Sequence, residues 1–256
     1  MALLELNEVS KRFGGLLAVS NLSFHVNEGE ILGLIGPNGA GKTTVFNLVC
    51  GTHAVTSGTI KFQGKDTSQL STHKRAACGI ARTFQETSLF ADFSVLENML
   101  VARHLKAKVN YFKEVFAKPY RQYERTTDRK VLEILEFMGL DSVSTNLARS
   151  LPYGHQRELG IAMALAVEPR ILLLDEPAAG MGETECVIMA KQIQKIRRTG
   201  ITILLIEHSM KMVMDVCERI VVLNFGAKIA EGSPQEIREN PEVISAYLGV
   251  GDDAIC

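Results

Sequence analysis

Near-continuous apolar runs and amphipathic stretches alternate along most of this chain. Residues 31–35 (Ile-Leu-Gly-Leu-Ile), 171–174 (Ile-Leu-Leu-Leu) and 201–206 (Ile-Thr-Ile-Leu-Leu-Ile) read as strands buried on both faces, the pattern of a parallel sheet. Residues 22–26 (Leu-Ser-Phe-His-Val) alternate cleanly and 3–9 loosely, as half-buried antiparallel strands do. A turn is predicted over 11–15, a short hairpin over 57–64, a helix over 71–77 and a strand over 79–85. Helices are predicted over 183–198, stopped by Gly200, and over 210–217. Residues 219–223 and 228–232 flank Asn224-Phe225-Gly226 as a closing hairpin. Ser233 then reads as an N-cap with Pro234 at the first helical position. From 95 to about 166 the texture is helical, with apolar residues at Val131, Leu132, Leu135 and Met138 and few β-branched runs. These patterns predict one α/β domain over 1–256: a core from 1–90 and 160–232, a helical subdomain over 91–159, and a C-terminal helix and tail over 233–256.

Between the run at 31–35 and an apolar stretch at 45–49 lies Gly36-Pro37-Asn38-Gly39-Ala40-Gly41-Lys42-Thr43-Thr44. Strand, glycine-rich turn and helix are the context of a phosphate-binding loop. Backbone N–H groups point inward only where no Cβ blocks them, and the helix N-terminus adds unpaired donors and partial positive charge. Lys42 supplies a full charge for terminal phosphates, and Thr43 offers a hydroxyl to Mg²⁺. The loop makes the chain a nucleoside-triphosphate binder with a P-loop NTPase core: a mixed sheet, an N-terminal antiparallel β-subdomain and an inserted helical subdomain.

Composition narrows the partners. With 256 residues, 46% hydrophobic, there is material for one well-packed core. A formal net charge of −1 gives no global sign of nucleic-acid binding. The five cysteines are scattered, without metal-ligand or Cys-x-x-Cys spacing, which suits reduced thiols. Residues 1–10 carry no signal-peptide pattern, and no run approaches the ~18 apolar residues of a membrane span. The expectation is a soluble chain, or one attached to a membrane only through another protein. Residues 103–130 are locally basic, nine Lys/Arg against three acids, with Tyr111, Phe112, Phe116, Tyr120 and Tyr123 interleaved. Such a stretch is a solvated helical face, a surface for anionic headgroups or a membrane partner, or, third and without a recognisable module, a nucleic-acid surface.

Ligands in parallel sheets sit at the carboxyl ends of strands. Asp175-Glu176 ends the run 171–174, where Asp175 would hold Mg²⁺ and Glu176 would polarise the attacking water. His208 follows the run 201–206 by two residues and can hydrogen-bond a terminal phosphate. Gln85 ends a further strand, and its amide can reach Mg²⁺ or the water.

The order of residues 36–44, Gln85, Leu151-Pro152-Tyr153-Gly154-His155-Gln156-Arg157, 171–177 and His208 resembles that of ABC transporter nucleotide-binding subunits, over essentially the whole chain. The resemblance implies that Phe13 stacks on adenine and Gln85 links the nucleotide to membrane subunits. It also implies that Leu151, Pro152, Tyr153, Gly154 and His155 form the signature facing a partner's ATP, and that His208 is the switch histidine. Narrower phrases, Arg12-Phe13-Gly14-Gly15-Leu16, Arg82-Thr83-Phe84-Gln85, Glu176-Pro177-Ala178-Ala179-Gly180, Leu205-Ile206-Glu207-His208 and Ala246-Tyr247-Leu248-Gly249, look like one ATPase subunit of prokaryotic branched-chain amino acid importers. This implies ATP and Mg²⁺ as ligands and a second ATPase subunit and two permeases as partners. It further implies an indirect periplasmic binding protein, no nucleic acid, and a peripheral place on the cytoplasmic face of the inner membrane. A homodimeric export ATPase for a lipid substrate, and a soluble ABC ATPase of DNA repair or translation, are the alternatives.

Three positions depart from the family pattern. Pro152 stands where Ser is usual and lacks both hydroxyl and N–H. His155 replaces the usual Gln, and Gly182 an Asp or Asn. All three weaken what the chain offers to a partner's site, which favours a heterodimer.

Overall fold

The computed structural model describes residues 1–83, 89–104 and 119–248. It divides into two compact units, Met1–Arg82 with Arg170–Cys256, and Thr83–Pro169.

The first unit holds a six-stranded sheet that uses each of the apolar runs as a strand: β3 (Ile31–Ile35), β7 (Ile171–Asp175) and β8 (Thr202–Ile206), all five residues of each buried. With β6 (Ile80–Arg82), β9 (Arg219–Asn224) and β10 (Ala227–Gly232), the order is β10-β9-β3-β8-β7-β6. The pairs among β9, β3, β8, β7 and β6 are parallel; only β10, returning through the turn after Asn224, is antiparallel. Total burial on both faces is why these strands do not alternate in sequence.

A second, four-stranded antiparallel sheet has the order β2-β1-β4-β5, from β1 (Ala2–Phe13), β2 (Leu16–Asn27), β4 (Ser57–Phe62) and β5 (Lys65–Asp66). The strand pattern of 3–9 runs on to Phe13, so the predicted turn over 11–15 shrinks to Gly14-Gly15. Register shifts at Val9, Lys11 and Arg12 blur the alternation there, because each bulge flips the side chains that follow. Leu4, Leu6, Leu22 and Ile60 of this sheet share one core with Leu32, Leu34, Leu173 and Leu204, and with Phe46 and Leu48 of the helix α1 (Lys42–Cys50). The antiparallel sheet therefore braces the helix that follows the phosphate loop. Fully buried Phe46 alone is worth about 3–5 kcal/mol against alanine.

Two further devices hold this unit. Arg75 of α2 (Thr72–Ala77) is 1% exposed. Its guanidinium donates to the carbonyls of Leu48, Val49, Ser68 and Leu70, so it caps the last turn of α1 with a side chain. At the other end of the chain, Ser233 caps a helix over Pro234–Glu239 through a capping box with Glu236, as its sequence predicts. A further helix follows. Asn240 Oδ1 accepts from the N–H groups of Glu242 and Val243 (2.9 and 3.2 Å) and starts another helix, Pro241–Leu248.

The second unit is helical: α3 (Val95–His104), α4 (Pro119–Met138) and α5 (Tyr153–Ala166), with short 3₁₀ turns at Asp141–Val143 and Ala148–Ser150. Val131, Leu135 and Met138 are buried, whereas Leu132 is half exposed; it sits one residue off the buried i, i+4, i+7 stripe. Asn98, fully buried, accepts from Phe90 N–H (2.8 Å) and donates to the Phe90 and Ser94 carbonyls. Of the basic stretch 103–130, residues 105–118 lie outside the described residues. At its two ends Arg103 and Lys130 both pair with Glu168, and Arg103 also donates to the Ala166 carbonyl. These two charges serve the helical unit rather than an outside surface.

Candidate nucleotide-binding site

β3 ends at Ile35 and the loop turns into α1 with Gly41 as N-cap. Two glycines are required by geometry. Gly36 has φ +150°, and a Cβ there would lie 2.1 Å from the Leu223 carbonyl oxygen; Gly41 has φ +100°, and its Cβ would lie 2.6 Å from the Ala18 carbonyl oxygen. The loop is closed by Ala40 N–H to Pro37 O (3.1 Å) and Gly226 N–H to Ala40 O (3.0 Å). Asn38 and Gly39 stand exposed at its tip, as does Thr43 at the start of the helix, with Thr44 half-buried. Lys42 is 6% exposed, and its ammonium donates to the carbonyls of Gly36 (2.7 Å) and Pro37 (3.1 Å). Burial pushes its pKa down, while Glu176 and Asp175 pull it up. The result is a cation folded onto its own loop and placed in the field of two carboxylates.

Those carboxylates come from β7. Asp175 is 1% exposed and pairs in register with Ile206 of β8. Its Oδ2 accepts from an Arg82 Nη at 2.6 Å, while the other Nη of Arg82 donates to Asn47 Oδ1, also at 2.6 Å. The guanidinium lies 5.6 Å from the Phe46 ring centroid, a cation–π distance. Arg82 thus ties the strand-end acid to the helix behind the phosphate loop. The next residue, Glu176, has φ +48°, a left-handed conformation that costs a non-glycine residue about 1 kcal/mol or more. Its N–H is held by the Ile206 carbonyl at 2.9 Å. The sharp turn brings its carboxylate 2.8 Å from Nε2 of His208, which leaves the end of β8. The distance is that of a hydrogen bond between the two side chains.

Phe13, at the end of β1, is 40% exposed. The ring of His53 meets it edge-on (centroids 5.2 Å, 78°), and Lys11 Nζ lies 4.9 Å from its centroid. Gln85 falls in 84–88, outside the described residues. Within the helical unit, Pro152 is the N-cap of α5 and Leu151 before it is buried. Tyr153, half exposed, accepts at its hydroxyl from Arg157 Nε (2.9 Å), with the guanidinium 5.0 Å from the ring. Gly154 is half-buried, and His155 Nε2 lies 3.9 Å from the Glu158 carboxylate. Gly182 is the N-cap of the helix Glu183–Arg198, its N–H donating to Glu185 at 3.0 Å.

Among the described residues no three His, Cys, Asp or Glu side chains cluster as a metal cage. Asp175 offers a buried carboxylate at the end of β7, and Thr43 an exposed hydroxyl in the first turn of α1, both hard-oxygen donors. That donor set fits Mg²⁺, which is held by one or two protein oxygens and completes its shell with phosphate and water. Three residues of the site went unassigned from sequence. Arg82 and Asn47 carried one signal, an arginine inside a short apolar strand. Glu207 carried another, an acid directly before the strand-end histidine.

A phosphate loop after β3, with two acids at the end of β7 in the same parallel sheet acting on its lysine, defines an ATP-hydrolysing cassette of the P-loop class. The chain belongs to the ABC transporter family, whose signature matches residues 19–179, and it is an ATPase. A second family, the branched-chain amino acid ATP-binding cassette transporter, matches residues 227–253. The chain is similar to the high-affinity branched-chain amino acid transport ATP-binding protein BraF of Pseudomonas aeruginosa, 44% identical over 249 residues, covering 96% of this chain and 98% of BraF. It is similar to LivG of Escherichia coli, of the same description, at 43% identity with the same coverage. Among solved structures, the ADP conformation of MJ1267, an ATP-binding cassette of an ABC transporter, superposes with a TM-score of 0.87 at 29% identity, covering 97% of this chain and 99% of that one.

Proposed function

We propose that this chain is the ATP-hydrolysing subunit of an importer for branched-chain amino acids. The observation that carries the substrate class is the match of residues 227–253, a segment outside the phosphate loop, to the branched-chain amino acid cassette family. It supports the importer over a homodimeric lipid exporter or a soluble ABC ATPase.

In this reading Phe13 stacks on the adenine, and residues 36–44 wrap the phosphates with their N–H groups. Lys42 exchanges the carbonyls of Gly36 and Pro37 for the terminal phosphate oxygens. Thr43 and Asp175, with Gln85, would hold Mg²⁺, which when bound would neutralise charge on the phosphate oxygens. His208 fixes one oxygen of Glu176, and the carboxylate takes the proton of the attacking water. The products are ADP and inorganic phosphate. Residues 151–155 face ATP bound by a second subunit. Pro152 offers that ATP neither hydroxyl nor N–H, so the partner is a different ATPase whose own signature completes this chain's site. Among the described residues no helix is long and apolar enough to cross a membrane, and the subunit sits peripherally on two permeases at the cytoplasmic face. A periplasmic binding protein delivers the amino acid to those permeases.

Uptake of radiolabelled leucine, isoleucine and valine tests this directly. A strain lacking the gene loses uptake, the wild-type gene restores it, and Glu176→Gln does not. Unchanged uptake in the deletion strain would overturn the proposal.

A further inference from the structure

The Glu176–His208 contact is assembled from two separate loops, and one buried side chain holds both. Glu207 is 4% exposed. Its Oε1 accepts from the Ala178 N–H at 2.8 Å. Its Oε2 accepts from the N–H groups of His208 (3.0 Å) and Ser209 (3.4 Å). Burial pushes its carboxyl above the usual range, and these N–H groups pull it back down.

The pattern of donors is specific. Glu176 is anchored by its own N–H to the Ile206 carbonyl, and Pro177 has no N–H to give. Ala178 therefore supplies the first amide after Glu176 that can pin the loop, and Glu207 takes it. On the other side, the amide it takes is that of His208 itself. Ser209 is also the N-cap of the helix Met210–Val216, through its hydroxyl and Met212 N–H. One carboxylate thus fixes the backbone beside Glu176 and the backbone of His208. A buried anion held only by amides is costly, and an apolar residue would fill the same space more cheaply. Both carboxylate oxygens are needed because the amides approach from two loops. A glutamine presents one acceptor and one donor, so one loop would face N–H against N–H.

We infer that Glu207 is a positioning residue for ATP hydrolysis, setting the distance between the water-activating Glu176 and His208. The inference rests on the roles given to that pair above, and the experiment separates the two.

Glu207→Gln, Glu207→Asp and Glu176→Gln are compared in the full chain, alone and copurified with its transporter subunits. ATP turnover, affinity for a fluorescent ATP analogue and thermal unfolding are measured. The imidazole resonance of His208 is followed in histidine-labelled chain and identified by its loss in His208→Ala. Glu207→Gln is expected to lower kcat about tenfold or more while nucleotide affinity stays within about twofold of wild type, and to shift the His208 resonance. Glu207→Asp, which keeps the charge but is one methylene short, is expected to fall between; it decides the matter by the same readouts if the glutamine variant does not fold. Unchanged kcat, an unmoved His208 resonance, or a parallel loss of affinity and melting temperature would overturn the inference. Should Glu176→Gln keep its turnover, the assignment of the pair fails instead, while the His208 resonance, which needs no turnover, still reports whether Glu207 holds the loop.

Discussion

His208 Nε2 and Glu176 Oε1 lie 2.8 Å apart although the two residues leave different strands. β7 and β8 are parallel and in register, Asp175 opposite Ile206, so both side chains emerge at one sheet edge. The chemistry of the site depends on that adjacency and not on closeness in sequence. Glu176→Gln keeps the shape and removes the base. Turnover is expected to fall about 100-fold or more, the range for loss of a general base, with nucleotide affinity unchanged. Single-turnover hydrolysis beside a binding titration checks it; a drop of less than about tenfold would remove Glu176 from that role.

Lys42 acts on binding. Its ammonium already sits over the loop carbonyls, so little rearrangement separates it from bound phosphate. Lys42→Ala is expected to weaken ATP by about 100-fold, the scale of a charge-assisted phosphate contact worth about 2–3 kcal/mol, while AMP affinity changes little. Equal losses for ATP and AMP would mean a collapsed loop rather than a lost cation.

Arg75 carries stability. Replacing it with Met keeps the aliphatic stem but strands the carbonyls of Leu48, Val49, Ser68 and Leu70. A loss of about 3 kcal/mol is expected, read from the urea midpoint at constant m. A loss of under about 0.5 kcal/mol would mean that water replaces the guanidinium.

Glu207 gives a pH signature. Its folded pKa is raised, mainly by burial, so the folded chain binds more protons than the unfolded one across the window from the ordinary carboxylate value, about 4.3, up to the folded value. Stability from this group is full below that window and is lost as pH rises through it. Glu207→Gln removes the titration. The difference in unfolding free energy between variant and wild type is therefore expected to move in the variant's favour as pH rises from 4 to 8. A difference that is flat with pH would contradict the raised value.

Pro152 is expected to limit the neighbouring site. Pro152→Ser adds a hydroxyl and an N–H at the N-cap of α5, where both suit an anion. With the loop lysine of this chain mutated, hydrolysis left at the partner's loop should rise several-fold. No change would show that the proline is neutral.

The strands at 31–35, 171–175 and 202–206 were legible because complete burial writes itself as unbroken apolar runs. The phosphate loop was legible because Gly36 and Gly41 answer to backbone contacts that no other residue satisfies. The place of Asp175 at a strand end was legible from the apolar run before it, whereas Phe13 was singled out only by the family resemblance, its stretch reading as a turn. Arg82, Asn47 and Glu207 were not legible, since each works through partners from 29 to 93 residues away or through backbone amides, and charge in an apolar run carries no address. The helix over Pro241–Leu248 hid behind Asn240-Pro241, which reads equally as a chain end or as a cap followed by a helix start.

The order of the central sheet also has a cost during synthesis. β3, which carries the phosphate loop, has β9 and β8 as its neighbours, and both are encoded far downstream. At about 5–20 residues per second, the ribosome exposes β3 for roughly ten to thirty seconds before β8 and β9 follow. For that interval an apolar strand waits without either of its edges covered. The nascent chain has a period in which the β3 edges stay unpaired, and a truncated transcript ending before β8 yields a phosphate loop whose strand lacks both of its neighbours.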